Sequence, residues 1–396
     1  MADSEYDLIV VGLGAMGSAV TYHASLLGLH VLGIDRYDPP HGLGSTKAET
    51  RITRLAVGEG PQYLPFVRRS HAIWRELEAK TDVELLHECG GLIITEEVPV
   101  PGQRWEDFVM QTAAVATEGD IPFEIITPVE ARSRYPWISV ADDQRVGFEP
   151  TAGLVMVEKC VEVQLGLAHE HGAVIRTGEE VESIAPDSSG VTVNTAAGSH
   201  RAKDVVLSTG PWMEELAAPE HGRQLTVTRQ VVYWFDVDDL SSFTTQAIPY
   251  VMWIAQRNED YIGLFPMAPG GTPAVKILGE QFLETTDPSS VDRAVSQAEI
   301  DRFYDVHVAS KFSGVRRDAV RAEVCLYVNT PDDHFLIDRD PRSERVTVMS
   351  PCSGHGFKHS TALGEAVAQR IASGRARGRG FIDGSSDNDL SAFRMR

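Results

Sequence analysis

Three glycines and one aspartate near the amino terminus have the residue types and the spacing that dinucleotide binding requires. Gly12, Gly14 and Gly17 follow a short apolar run, and Asp35 ends the next apolar run. In this pattern the first glycine permits a tight turn, the second lets a pyrophosphate approach the backbone, and the third lets a helix pack closely on a strand. The Asp35 carboxylate can accept hydrogen bonds from the ribose hydroxyls. This favours NAD or FAD over NADP, whose ribose carries a phosphate. These residues leave the choice between NAD and FAD open.

A strand, a helix and a second strand must hold these four residues in place. Residues 8–11 and 31–34 are the two apolar runs, and apolar residues recur at helical spacing from Met16 to Leu27. The amino terminus of such a helix offers unpaired N–H groups and the positive end of its dipole to phosphates. The pattern therefore predicts that phosphates bind where the first strand meets the helix.

Composition restricts the partners. The chain has 396 residues, a formal charge of −21 and a pI near 5.0. This length suffices for two cores. The negative charge argues against nucleic acid and against an anionic membrane surface, because both need a basic face. A small anionic substrate remains possible, since it needs only a local cluster of cations.

The cysteines indicate a reducing compartment. Cys89, Cys160, Cys325 and Cys352 lie far apart, and neither a disulfide scaffold nor a metal-ligand spacing is apparent. The first residues are acidic and form neither a signal peptide nor a membrane span. We therefore expect a soluble, cytoplasmic protein without a bound metal.

The order of the apolar runs predicts an α/β domain of the Rossmann type plus a second domain built on an antiparallel sheet. Strand-like runs between residues 225 and 278 have no crossover helices between them, which is typical of antiparallel pairing. Residues 287–308 are predicted to be helical. Both domains are predicted to be discontinuous. The nucleotide-binding domain comprises residues 1–86, 151–222 and 329–396, and the substrate domain comprises residues 87–150 and 223–328.

The chain resembles monomeric sarcosine oxidase and N-methyl-tryptophan oxidase, which are FAD-dependent amine oxidases of the D-amino-acid-oxidase-like group. This resemblance covers nearly the whole chain and implies FAD rather than NAD. The motifs that carry it are Gly12-Leu-Gly14-Ala-Met-Gly17, the stretch from Asp38-Pro-Pro-His through Thr50-Arg51-Ile-Thr-Arg54 to Gly58-Glu-Gly60, Val324-Cys325-Leu-Tyr327, and Ser353-Gly-His-Gly-Phe-Lys358.

The resemblance implies which residues contact FAD. They are Gly12, Gly14, Met16, Gly17, Asp35, Ser45, Arg51, Val181, Gly210, Cys325, Gly354, Gly356, Phe357 and Lys358. Cys325 matches the position that attaches covalently to the flavin, and a thiolate is a suitable nucleophile for this step. The alternative is an ordinary buried cysteine in an apolar strand.

The resemblance also implies the residues that stage the reaction. Arg54 and Lys358 match the pair that binds the substrate carboxylate, for which an Arg fork and a Lys charge are suited. Lys276 matches the lysine that activates oxygen, where a fixed charge stabilises the anion that develops; the alternative is a lysine that faces water. Tyr327 is expected to share a strand face with Cys325 and to line the pocket.

Two departures from the family pattern bear on the substrate and on the flavin environment. Glu280 stands where these oxidases usually have a histidine, and Thr46 and Lys47 stand where they tend to have two histidines. We therefore list Glu280 among the catalytic candidates. Our hypothesis is that it pairs with the substrate ammonium or with a second cationic group on the substrate.

The predicted activity is FAD-dependent oxidation of a secondary-amine amino acid, such as sarcosine or N-methyl-tryptophan, to an imine, with O₂ reduced to H₂O₂. Substrates that remain open are a cyclic imino acid and a sugar-amine conjugate. Other classes that remain open are a flavin dehydrogenase with another acceptor, a nicotinamide-linked dehydrogenase and a non-catalytic flavin-binding protein. The expected partners are a small amine and O₂, and the expected state is a monomer.

Overall fold

The computed structural model of the chain describes residues 6–96, 107–254, 261–374 and 390–394. The strands are β1 (Tyr6–Val11), β2 (Val31–Ile34), β3 (Thr50–Thr53), β4 (Leu86–Glu88), β5 (Gly91–Glu96), β6 (Glu124–Ile126), β7 (Gln144–Glu149), β8 (Gly153–Met156), β9 (Val174–Arg176), β10 (Val181–Pro186), β11 (Val191–Thr195), β12 (Gly198–Leu207), β13 (Thr226–Val237), β14 (Tyr250–Trp253), β15 (Tyr261–Phe265), β16 (Val275–Glu280), β17 (Val315–Asn329), β18 (Leu336–Asp340) and β19 (Ser343–Ser350). The α-helices are α1 (Ala15–Leu26), α2 (Leu64–Thr81), α3 (Phe108–Glu118), α4 (Pro128–Arg134), α5 (Val157–Glu170), α6 (Met213–Leu216), α7 (Pro219–Gly222), α8 (Gln297–Phe303) and α9 (Ser360–Ala372).

The first sheet carries the glycine motif. Its parallel part has the order β19-β12-β1-β2-β9, while β18 pairs antiparallel with β19, and β10 and β11 form an antiparallel extension of β12. Helix α1 packs against α5 and α9 on one face. Because β1, β2 and β12 are parallel, their carboxyl ends meet at one edge, where ligands bind in open α/β sheets.

The second sheet has the order β17-β13-β16-β15-β14-β5-β7-β6 and is antiparallel except for the pair β14–β5. Side chains alternate between its two faces. Tyr233 and Ile277 belong to one apolar cluster, whereas Trp234, Cys325 and Tyr327 belong to another on the opposite face. The second cluster also contains residues of β15 that line the cavity described below.

A small third sheet, of order β3-β8-β4, connects these two parts of the fold. Strand β3 contains Arg51 and leads directly to Arg54. Ala48 and Glu49, which precede it, have φ values of 76° and 67°. Two successive non-glycine residues in this left-handed region are unusual, so the surrounding contacts must hold the turn.

The predicted α/β class with an antiparallel second sheet is confirmed, but one predicted helix is too long. Of residues 287–308, the helix begins only at Gln297, after Ser296 accepts a hydrogen bond from the Glu299 N–H at 3.2 Å. Residues 304–308 continue it as a π-helix. Ser296 therefore sets the start as an N-cap. The boundaries given above for the two domains stay a prediction.

Candidate active site

A cavity begins at the carboxyl edge of the first sheet and extends to the inner face of the second. Most of the residues named from the sequence line it: Gly12, Gly14, Met16, Asp35, Ser45, Arg51, Arg54, Val181, Gly210, Glu280, Tyr327, Gly354, Gly356, Phe357 and Lys358. Gly17, Lys276 and Cys325 are not among its lining residues. The fold thus brings together residues that are more than 340 positions apart in the sequence.

The glycine turn has the geometry that its spacing predicts. Gly12 has a φ of +86°, and a Cβ on Gly17 would lie 1.7 Å from the carbonyl oxygen of Gly12. The Asp35 carboxylate accepts from the N–H groups of Leu13, at 2.7 Å, and Tyr37, at 2.9 Å. These bonds fix the acid at the end of β2, beside the amino terminus of α1.

These residues fit the ADP half of FAD. The first turn of α1 opens into the cavity through Gly14, Ala15 and Met16. A helix amino terminus suits phosphates, because the N–H groups of its first turn have no partner within the helix. A Cβ on Gly14 would lie 3.2 Å from Thr46 Oγ1, so the approach to the backbone depends on glycine. Asp35 lines the same part of the cavity, where a ribose would need an acceptor.

The loop before β3 is held by Arg51. Its guanidinium donates to the carbonyl oxygens of Lys47, at 2.7 Å, Thr50, at 3.0 Å, and Ser45, at 3.0 Å. The Ser45 hydroxyl is buried and has no hydrogen-bond partner in the described part of the chain. This orphaned polar atom on the cavity wall is what a polar cofactor edge would satisfy.

Thr46 and Lys47, at the positions where the resemblance leads us to expect histidines, make contacts of their own. Thr46 Oγ1 accepts from the Ala15 N–H at 3.2 Å and so joins the loop to the start of α1. Lys47 Nζ lies 3.0 Å from a carboxylate oxygen of Glu323 on β17. These two residues therefore connect the loop to α1 and to β17 of the second sheet.

Arg54 is 1% exposed and is held from four directions. Nη2 donates to both oxygens of Glu59, at 2.7 and 2.8 Å, and Nη1 donates to the Ala56 carbonyl oxygen at 3.2 Å. Nε donates to Met252 Sδ at 3.5 Å, and the guanidinium carbon lies 5.3 Å from the centre of the Phe108 ring. A buried cation on the cavity wall is thereby fixed in orientation.

Lys358 stands beside the same carboxylate. Its Nζ donates to the His355 carbonyl oxygen at 2.8 Å and lies 3.7 Å from Glu59 Oε1. Burial lowers the pKa of Lys358 to about 8, although the Glu59 charge opposes this shift. Burial alone would raise the pKa of Glu59, but Arg54 and Lys358 outweigh it and hold that pKa well below its ordinary value. Two cations and one carboxylate therefore form a buried cluster on the cavity wall.

Glu280 lies at the end of β16 and lines the cavity. The Tyr327 hydroxyl donates to Glu280 Oε1 at 3.0 Å. Burial raises the pKa values of Tyr327 and Tyr261, and the Glu280 charge adds to both shifts. The cavity thus has an acidic wall formed by Glu280, in addition to the cluster around Arg54.

Lys276 is 3% exposed and lies behind the cavity wall. Its ammonium donates to the carbonyl oxygens of Ala48, at 2.9 Å, and Thr50, at 2.7 Å, and to Thr50 Oγ1 at 2.6 Å. Burial and the nearby Arg51 charge lower the pKa of Lys276 well below its ordinary value. Hydrogen bonds to the three acceptors favour the charged form. The alternative expectation, that Lys276 faces water, is wrong. Lys276 also holds the left-handed turn before β3.

Two free thiols lie near the cavity. Cys325 is 2% exposed on β17, and Cys352 lines the cavity and accepts from the Val328 N–H at 3.4 Å. Burial raises the pKa of both thiols, and the Arg51 charge opposes the shift in each. Attachment of a flavin at Cys325 would require the cavity wall to give access to its sulfur.

Sequence reasoning missed Glu59, Tyr261, Phe265 and Cys352 as cavity residues. Glu59 lies within the Gly58-Glu-Gly60 motif that carries the family resemblance, and this position could have indicated that it lines the cavity. Cys352 directly precedes the Ser353–Lys358 motif. No local pattern marked Tyr261 or Phe265, because alternation in a buried strand does not show which face borders a cavity.

Within the described ranges, no helix has both the length and the apolar character needed to cross a membrane. In the same ranges no group of three or more His, Cys, Asp or Glu side chains is arranged to hold a metal ion.

Comparison with known proteins agrees on a flavoenzyme fold. Residues 7–370 match the family model described as "FAD dependent oxidoreductase". The chain is 31% identical to monomeric sarcosine oxidase of Bacillus sp. (strain NS-129), over 99% of this chain and 97% of that protein. It is 34% identical to N-methyl-L-tryptophan oxidase of Yersinia pestis (strain Pestoides F), over 99% of both chains.

Among solved structures, the chain resembles NikD, described as an unusual amino acid oxidase essential for nikkomycin biosynthesis. The TM-score is 0.79 at 23% identity, and the match covers 93% of this chain and 94% of NikD. At this identity the likeness concerns the fold.

Proposed function

Because this chain belongs to the FAD dependent oxidoreductase family and is a flavin amine oxidase, we propose that it oxidises the C–N bond of a secondary-amine amino acid with O₂ as acceptor. The first candidate substrates are sarcosine and N-methyl-tryptophan, which appear in the names of its relatives. The observation that carries the proposal is the pair of buried cations, Arg54 and Lys358, on the wall of the cavity. Buried cations of this kind suit a small substrate carboxylate.

FAD is the cofactor that the family requires. Gly12, Gly14 and Asp35 would hold its ADP half, and Ser45 and Arg51 would lie near its polar ring. When bound, FAD supplies the redox chemistry by accepting two electrons from the amine and passing them to O₂. We also propose covalent attachment at Cys325, which the resemblance supports; burial raises the pKa of its thiol, and the nearby Arg51 charge opposes that shift.

The protein's own residues place and polarise the substrate. Arg54 and Lys358 would bind the carboxylate, and Glu59 keeps both cations in position until it arrives. Glu280 and Tyr327 would face the amine end, so that the substrate lies between a positive wall and an acidic wall. The cavity lining is largely apolar, and a low local dielectric strengthens each of these charge interactions.

Oxygen chemistry is assigned to Lys276. A buried cation fixed by three acceptors stabilises the negative charge that develops on O₂ as it takes up electrons. This assignment favours an oxidase over a dehydrogenase that needs another acceptor.

An anaerobic screen of amines tests the proposed function. Purified holoenzyme is mixed with sarcosine, N-methyl-L-tryptophan, L-proline and a sugar-amine conjugate, and bleaching of the flavin absorbance is recorded. We expect an N-methyl amino acid to bleach the flavin and to yield H₂O₂ stoichiometrically once air is admitted. Bleaching without H₂O₂ would indicate a dehydrogenase, and no bleaching by any amine would contradict the proposal.

Two cysteine variants test the covalent link. After acid precipitation, flavin should stay with the wild-type protein and with Cys352→Ser, but should be released from Cys325→Ser. Because Cys352 is the thiol that lines the cavity, it is the matched control. Retention by Cys325→Ser with release by Cys352→Ser would move the attachment to the other thiol.

We further propose a cytoplasmic monomer. Four free cysteines are consistent with a reducing compartment, and the relatives' own name describes a monomer. Sedimentation of the holoenzyme should give a single species of 43.4 kDa plus its flavin.

A further inference from the structure

The Phe265 ring packs against the Lys276 ammonium and borders the cavity. The two residues are cross-strand partners on β15 and β16, and Lys276 Nζ lies 4.1 Å from the centre of the Phe265 ring. Phe265 lines the cavity, whereas Lys276 is not among the lining residues. We propose that the Phe265 ring limits the access of O₂ to the Lys276 charge and thereby sets the rate of reaction with oxygen.

The position of the ammonium does not depend on this ring. Its three hydrogen bonds all go to Ala48 and Thr50, which lie just before β3 and at its start, in the third sheet. An ammonium has three N–H donors, so these acceptors satisfy it completely. Replacing Phe265 with a smaller side chain would therefore open a path to the charge without releasing the lysine from its partners.

The expected effect on the rate follows from the charge that develops on O₂ during its reduction. O₂ takes two electrons from the reduced enzyme and two protons, and leaves as H₂O₂. Negative charge develops on O₂ before the protons arrive, and its attraction to a cation falls with distance. An aromatic ring in between holds O₂ several ångströms from Nζ. Removing the ring should accelerate reoxidation roughly tenfold by this Coulomb argument.

This inference rests on the proposed role of Lys276 in the reaction with O₂. The experiment tests that role and the role of the Phe265 ring separately. Wild-type holoenzyme, Phe265→Leu, Lys276→Met and the double variant are reduced with a stoichiometric amount of dithionite, so that no substrate is needed. Each is mixed with O₂ and the return of the flavin absorbance is recorded. If Lys276→Met alone reoxidises at the wild-type rate, the oxygen role of Lys276 fails, whatever Phe265 does.

For the inference itself we expect Phe265→Leu to reoxidise about tenfold faster in the wild-type background. The gain should vanish in the Lys276→Met background. Reoxidation by ferricenium, an acceptor that needs no cation, should be equal in wild type and Phe265→Leu. An unchanged or slower reaction with O₂ in Phe265→Leu would overturn the inference, as would a gain that persists without Lys276.

A second variant guards against loss of the fold. Thermal melting is measured for every protein, and if Phe265→Leu is not folded, Phe265→Met is judged by the same criteria. Methionine fills much of the volume of phenylalanine but has no ring between the cavity and Nζ.

Discussion

One nitrogen of Arg54 donates to both carboxylate oxygens of Glu59, at 2.7 and 2.8 Å, and both side chains are almost fully buried. Breaking a buried ion pair leaves an uncompensated charge, which is costly. Glu59 also lies 3.7 Å from Lys358 Nζ. It therefore balances both of the cations that we assign to the substrate carboxylate, and the substrate must enter as a second anion beside it.

Replacing Glu59 with glutamine should destabilise the protein by about 3 kcal/mol at pH 7, because two buried cations lose their counter-charge. The folded pKa of Glu59 is below its ordinary value of 4.5, so its contribution is present above pH 4.5 and is lost as the pH falls further. Urea unfolding at several pH values measures this. The difference between wild type and Glu59→Gln should shrink on acidification.

The matched control is Glu124→Gln, which breaks an exposed pair with Arg134. Solvent screening makes such pairs weak, so its unfolding curve should coincide with that of wild type. Equal effects of the two substitutions would contradict a special role for Glu59.

Lys358 gives the site a pH dependence of defined sign. Its pKa is about 8, so the free enzyme loses this positive charge as the pH rises through 8. We expect the Kd of a simple carboxylate such as acetate, measured from the change in flavin absorbance, to increase about tenfold between pH 7 and pH 10. Arg54 stays charged throughout, so binding should weaken but persist.

Lys358→Met is the control for this titration. It should bind acetate weakly at all pH values and show no change near pH 8. If the wild-type Kd is flat across this range, or if the variant follows the same curve, Lys358 does not bind the carboxylate.

Gly17 in α1 and Gly166 in α5 should respond in opposite ways to substitution by alanine. A Cβ at Gly17 would overlap the Gly12 carbonyl oxygen at 1.7 Å, so Gly17→Ala should prevent close packing of α1 and abolish flavin retention. Gly166 lies in the middle of α5, and apart from its chain neighbours and the backbone of its own helix, no atom of the described residues lies within 4 Å of an added Cβ. Gly166→Ala should stabilise the protein by about 1 kcal/mol.

Thermal melting and the flavin-to-protein absorbance ratio measure both outcomes. Flavin retained at the wild-type level by Gly17→Ala would show that the turn tolerates a side chain. Loss of flavin in Gly166→Ala would show that the effect is not specific to the glycine motif.

The glycine motif was predictable because its geometry is local. Gly12, Gly17 and Asp35 are fixed by a strand, a helix and a strand that adjoin in sequence, so spacing alone gave their arrangement. Arg54 and Lys358 were named only through the family resemblance, because they are 304 positions apart. Nothing in the residues themselves predicts that they share a carboxylate.

Other features depend on packing that a sequence does not encode locally. Lys276 donates to Thr50, which is 226 positions away, so the pattern around Lys276 showed a buried strand but not its acceptors. The same holds for Cys325 and Cys352. The strand pattern located Cys325 correctly in β17, yet only the structure shows that Cys352 borders the cavity.

Glu280 lines the cavity, and its carboxylate accepts a hydrogen bond from the Tyr327 hydroxyl. If its carboxylate binds a cationic group of the substrate, Glu280→Gln should raise the KM of the preferred amine about tenfold or more, since a hydrogen bond to a charge is lost. The Kd of acetate, which has no amine, should stay the same. Tyr327→Phe keeps the acid and removes only the hydroxyl, so it should raise the KM less. Equal KM values for wild type and Glu280→Gln with every amine would leave Glu280 no role in substrate binding.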